Sequence, residues 1–205
     1  MILEHRGRRP RIHPTASIAP TAVVCGDVEI GPETHVAFGA VLVAEGAPLT
    51  VGAQCVVREH ALLRSTGGHP LRVGDHVLIG PHAALTGCTI GDEAFLATGV
   101  SVFHDARVGR AAEVRINGVV HVRTALPEGA VVPIGWVAVG DPARILPPDA
   151  HDEIWATLRP LDFPLLAYGM ERRADGSVDM CEVTRRVTRS LAEHRSDRVL
   201  PESDR

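Results

Sequence analysis

Lysine is absent from all 205 residues, so the 21 basic side chains are arginines. Neither Schiff-base chemistry nor a phosphate-loop lysine is open to such a chain. Basic charge is not in excess either. The formal net charge of -4 gives no positive field to gather nucleic acid or an anionic membrane surface, and both are set aside as partners. No stretch of eighteen apolar residues occurs, and the basic start MILEHRGRRPRIHP is not followed by an apolar run. The chain therefore reads as soluble and cytoplasmic. Its four cysteines, Cys25, Cys55, Cys88 and Cys181, never form a CxxC pair. That spacing argues against a disulfide framework and a Cys-type zinc site, and in favour of buried thiols.

What the sequence does have is a period of six. Aliphatic residues stand at Ile12, Ile18, Val24, Ile30, Val36 and Leu42, then at Val51, Val57 and Leu63, at Val73, Ile79 and Leu85, and from Ile90 through Leu96, Val102, Val108, Val114, Val120 and Leu126 to Val132. Small or β-branched residues follow four positions later, as at Ala16, Ala22, Val28, Thr34 and Ala40. Helix faces recur every 3.6 residues and strand faces every 2, so neither explains six. A triangular solenoid does, with one short strand and one corner per hexad and three hexads per coil. The fold class is an all-β solenoid, a left-handed parallel β-helix of hexapeptide repeats, with a C-terminal α-helical tail. A narrow prism has room for Val, Ile, Leu and Ala but seldom for rings, in keeping with 3% aromatic content.

The domain reading is an N-terminal arm at 1-11, the β-helix at 12-137, and an exit segment with helices at 138-205. The period breaks between Leu42 and Val51 and between Leu63 and Val73, where Gly and Pro predict loops protruding from the corners. In the tail, helices are expected over 149-158, with Ile154, Trp155 and Leu158 as the apolar side, and over 178-194, with Val183, Val187 and Leu191. This tail would cover the prism's outside or an open end, because exposed β-edges invite aggregation. A lid over a substrate is the other reading.

Three segments, CGDVEIG, HPLRVGDHVLIGPHAALTGCTIGD and VAVGDPARIL, resemble the gamma-class carbonic anhydrase family over roughly residues 12 to 146. The resemblance implies a homotrimer with zinc at each subunit interface, held by histidines of two neighbouring chains. Laid on this sequence, the family's ligand positions fall on Arg64, Pro81 and Thr86. None of these is a zinc ligand of the family's kind, since proline offers no side-chain donor and arginine repels a cation. The family's arginine before Gly-Asp falls on Cys25, and its Gln-Asp pair on Arg58 and Glu59.

Histidines elsewhere suggest a displaced site for zinc or another divalent metal. His60 lies nine residues after Val51 and His82 nine after Val73, so their rings should stack about 5 Å apart. His104 lies in the next coil, and a neighbouring subunit would help to bring the three ligands His60, His82 and His104 together. Glu59 or Asp105 would hold the rings, and Glu59, His82 and His104 are the candidate catalytic groups. A metal-bound water would then hydrate or hydrolyse a small electrophile, the lyase chemistry of the family, with Glu59 or His104 passing protons. Solvated, outward-facing imidazoles are the competing reading, and His69 and His76 are read as solvated.

Two further classes stay open. A hexapeptide acyltransferase would use His82 or His104 as general base, although the loops at 43-50 and 64-72 are short for covering acyl-coenzyme A. A non-catalytic trimeric scaffold or binding module would be kept for its subunit interfaces. A new substrate in the interface cleft is a related possibility, its carboxylate gripped by Arg58 and Arg64 beside Thr86.

Overall fold

A computed structural model describes residues 1-201 and shows a left-handed parallel β-helix. Its three sides are one ten-stranded sheet and two seven-stranded sheets. The long sheet stacks eight parallel strands in the order Ile2–Glu4, Val23–Cys25, Val41–Glu45, Leu62–Thr66, Ala84–Thr86, Ser101–Val102, Val119–Val120 and Val137–Val139. The hexad residues form the core. Val24, Leu42, Leu63, Leu85, Val102 and Val120 stack in register on this side. Ile30, Val51, Val73, Ile90, Val108 and Leu126 do so on the second side, and Val36, Val57, Ile79, Leu96, Val114 and Val132 on the third. Every one of these eighteen side chains is buried.

Both expected boundaries fall inside the ladder. Ile2–Glu4, assigned to an arm, pairs in parallel with Val23–Cys25, and Val137–Val139 makes the last rung. The two breaks in the period also differ from plain loops. Val41–Glu45 and Leu62–Thr66 run on past the corner and pair with each other over five residues, because breaks in adjacent coils can satisfy each other's backbone groups. A short turn at Thr66–His69 closes the second break, and a similar one stands in the first coil at His5–Arg8. The tips stack: a Cβ on Gly46 would stand 3.3 Å from Gly67 and 3.6 Å from Arg6.

The tail holds three helices, α1 (His151–Leu158), α2 (Phe163–Tyr168) and α3 (Met180–Leu191). The apolar LDFPLLAYGM segment thus contains a short helix, ended by Gly169 in the left-handed conformation at φ +63°. Asp179 caps α3 by accepting the Glu182 amide at 3.1 Å. Only Val183 of α3 is buried. Arg144–Leu146 and Arg198–Val199 pair antiparallel with the two end rungs of the long sheet, and Leu200 joins the core beside Ile2. Both ends of that sheet are therefore closed by strands of opposite direction, which removes its free parallel edges. No helix among the described residues is long and apolar enough to cross a membrane.

Candidate functional site

Side chains alternate across a strand, so the residue after each inward aliphatic of the long sheet faces outward. Cys25, Val43, Arg64 and Thr86 are successive partners in that outer column, which continues through Phe103 and His121. Outward direction does not mean exposure here. Cys25 and Val43 are buried, and Asp197 in the last turn of the tail lies against Cys25. At the other end Phe163 of α2 meets Phe103, His104 and His121 with ring centroids 6.3, 6.3 and 6.4 Å away. The middle of the column, Arg64 and Thr86, lies between these two covered ends.

Two of the three family ligand positions are in this column, and the groups present do not fit a cation. Arg64 and Thr86 are direct neighbours in the ladder, and a guanidinium beside a hydroxyl offers a cation one weak donor and one repelling charge. Its Nε is buried without a hydrogen-bond acceptor. The nearest carboxylate oxygen, Oε1 of Glu45, is 3.6 Å away, beyond hydrogen-bond reach. Arg64 offers donors only, so the column presents an anion-seeking group where the family presents ligands.

His60 and His82 stack at 5.3 Å with their rings 11° from parallel. They sit at one corner in left-handed backbone at φ +58°, above Gly39, where a Cβ would meet His60 Nδ1 at 2.4 Å. His104 is not with them. It is buried at a different corner, against His69 at a centroid distance of 5.2 Å. Asp105, expected to steady a metal-bound ring, accepts from His69 instead. Glu59 turns to Arg58, whose Nε donates to it at 2.9 Å and lowers its pKa. Within one chain the set His60, His82 and His104 therefore does not converge. Among the described residues a single group of three or more His, Cys, Asp or Glu ligand atoms lies within 4.8 Å of one another, and it surrounds Cys25.

His69, which its loop position predicts to be solvated, is instead held by the Thr66–His69 turn against the next coil. Nδ1 of His69 lies 2.8 Å from Oδ1 of Asp105. Gly87, which follows Thr86, packs close to both histidines: a Cβ there would lie 2.6 Å from His69 Cβ and 3.3 Å from His104 Cδ2. Nδ1 of His104 is buried without a partner. Burial, with a smaller contribution from His69, lowers the pKa of His104, and burial lowers that of His121.

Both rings are thus neutral in the folded protein at pH values where the unfolded chain would bind protons. Unfolding takes up protons below the ordinary imidazole value of 6.5, so stability falls as pH falls through that value. The loss levels off once the lowered folded values are passed. Thermal unfolding at about pH 7.5 and about pH 5.5 should show a drop in midpoint that shrinks in the double variant His104→Gln, His121→Gln. An unchanged pH dependence in that variant would assign the drop to other groups.

Beside this cluster, Phe103, His121, Trp155, Leu158, Phe163 and Arg172 line a cavity of about 380 Å³. Its size suits a small ligand. Phe163 is a wall of this cavity and also the neighbour of His104, so cavity and imidazole pair share one side.

No family model matches the chain. The chain is 32% identical over 153 residues to a mitochondrial gamma carbonic anhydrase of Arabidopsis thaliana, covering 72% of this chain and 54% of that protein. It is 28% identical over 109 residues to a carbonic anhydrase of Geobacillus kaustophilus, covering 53% and 60%. The chain spans about half the length of the curated relatives it matches. A crystal structure of a candidate acetyltransferase from Bacillus cereus superposes with a TM-score of 0.55 at 20% identity, covering 96% of this chain and 98% of that one. This last likeness concerns the fold alone.

Proposed function

The chain belongs to the gamma carbonic anhydrase family, and from that premise we propose that it is a self-associating enzyme which has exchanged metal-based catalysis for acid-base catalysis by His69. The observation that carries this reading is the 2.8 Å contact between His69 Nδ1 and Asp105, placed against Gly87 next to the altered ligand position at Thr86. A carboxylate that accepts from Nδ1 fixes the tautomer and leaves Nε2 with a free lone pair. That nitrogen removes a proton from water or from an acceptor hydroxyl. Arg64 binds the anionic group of a small substrate through the exposed part of its guanidinium, since its side chain is 39% exposed and its ion pair with Glu45 is a loose one at 3.6 Å. The neighbouring cavity takes the substrate's apolar part. Self-association as a homotrimer follows the family, and it would place the outer column at or near a subunit interface.

Hydrolysis of a small activated carboxylic ester by chelator-treated protein tests this reading. Turnover should survive the chelator and fall about 10²- to 10⁴-fold in His69→Ala. Arg64→Ala should act mainly on KM for anionic substrates. Turnover that disappears with the chelator and returns with zinc, in the unaltered protein and in Cys25→Ser alike, or that persists unchanged in His69→Ala, would remove the proposal. An added alcohol or amine acceptor distinguishes hydrolysis from acyl transfer, because the same base serves both.

A further inference from the structure

Four side chains from three distant parts of the chain meet where the last turn of the tail crosses the first rungs of the long sheet. One ligand atom from each of His5, Cys25, His194 and Asp197 lies within 4.8 Å of the others. Asp197 is central. Its Oδ1 is 2.6 Å from His5 Nδ1, and its Oδ2 is 2.7 Å from His194 Nδ1 and 3.4 Å from Cys25 Sγ. The His5 and His194 rings stack with centroids 4.3 Å apart. His5 and Cys25 are buried, and the His194 and Asp197 side chains are only 28% and 10% exposed.

We infer that His5, Cys25, His194 and Asp197 form a binding site for a zinc-class divalent cation, two rungs away from the family's ligand positions. The donor set is nitrogen, sulfur and carboxylate oxygen, four groups in all, which is the composition and number a tetrahedral structural zinc takes. With zinc-ligand bonds of roughly 2.0–2.3 Å, tetrahedral donors stand roughly 3.3–3.7 Å apart. Cys25 Sγ, 3.4 Å from Asp197, already stands in that range, and the two shorter His-Asp contacts would open as each Nδ1 proton moves to Nε2 of the same ring. A thiolate and a carboxylate balance the charge of a divalent cation, and the proton of the Cys25 thiol passes to solvent on binding. An outer carboxylate is already in place. Oε1 of Glu45 is 3.5 Å from His194 Nε2 and 3.6 Å from Arg64 Nε, so the same carboxylate lies between a ligand ring and the candidate substrate residue, at ion-pair distance from both.

The alternative for these four side chains is a metal-free network in which Asp197 simply receives hydrogen bonds from its neighbours. Two experiments on the full chain separate them. After removal of bound metal, zinc is titrated in the presence of a chromophoric competitor, and cobalt(II) is added to a second sample as a spectroscopic probe. One zinc per chain is expected, with tetrahedral cobalt absorption and a thiolate-to-cobalt charge-transfer band. Cys25→Ser, close in size, should lose that band and weaken zinc by at least about ten-fold. The double variant His60→Ala, His82→Ala should keep both properties. Absence of stoichiometric zinc and of the charge-transfer band in the unaltered protein overturns the site whatever the variants do. So does zinc binding that is unaffected by Cys25→Ser together with His5→Ala, or that is lost in His60→Ala, His82→Ala.

Discussion

Ending the chain after Pro148 is expected to turn a well-behaved protein into an aggregating one. The truncation removes Phe163, Val183 and Leu200, and it uncovers Cys25, Phe103 and the Ile2–Glu4 rung. Val183 and Leu200 are 3% and 2% exposed, and burial of such side chains stabilises by roughly 1.5–3 kcal/mol each. Added to the contacts of Phe163, the loss approaches the few kcal/mol that separate many domains from unfolding. Loss of the Arg198–Val199 strand also frees the backbone of Ile2–Glu4, where it pairs antiparallel, and a free edge recruits other chains. Light scattering and size-exclusion chromatography should report large, polydisperse species. Val183→Asp in the full chain should lower the melting temperature in the same direction, because it puts a carboxylate into a buried apolar contact. A truncated protein that stays soluble, with unchanged mass and melting temperature, would show that the tail does not protect the prism.

Gly87→Ala should be strongly damaging at the long sheet's corner. Left-handed backbone alone is not the reason, since His60, His82 and Asp105 hold φ values of +58° to +59° at comparable corners. Gly87 adds contact to conformation. At φ +53° its Cβ would stand 2.6 Å from the His69 Cβ and 3.2 Å from the His69 carbonyl oxygen. Backbone and ring would both have to move, at a cost of about 1–3 kcal/mol. The movement carries His69 away from Asp105, so the loss of turnover should exceed the loss of stability. Gly67→Ala is the control. Nothing lies within 4 Å of a Cβ there, and the change should stay within about 0.5 kcal/mol in urea unfolding. Equal effects at the two glycines would mean that the packing of His69 against the coil is looser than the structure shows.

The coil could be read from the sequence because a solenoid repeats one local solution. Each hexad aliphatic meets its equivalents one coil above and below, so a single period in the sequence specifies all eighteen of the stacked aliphatic positions. The breaks at 42-51 and 63-73 were less readable. Gly and Pro announced turns there, but the extension of the flanking strands depends on two breaks lying in adjacent coils, which is a property of their stacking. Histidine positions show the same limit. His60 and His82 share an offset of nine from the residue opening their coils, and they stack. His104 has an offset of fourteen and belongs to another corner, so arithmetic already parts it from the pair. The cluster around Asp197 has no spacing signal at all, because His5 and Asp197 are 192 positions apart. Its only trace in the sequence is Cys25, where the resembling family carries arginine.

The antiparallel pairing of Arg198–Val199 with Ile2–Glu4 has a kinetic consequence. Contacts between neighbouring coils join residues about one coil apart, as in the 18-residue separation of Thr34 and Gly52, whereas Arg198 and Glu4 are separated by 194. Closing a loop costs entropy that grows with its length, so rungs can accumulate by short steps while the tail must find its seat across the whole chain. The prism should therefore form first and the tail should dock last. In the native state, the tail is the segment that opens first: its amides should exchange with deuterium ahead of the coils they cover.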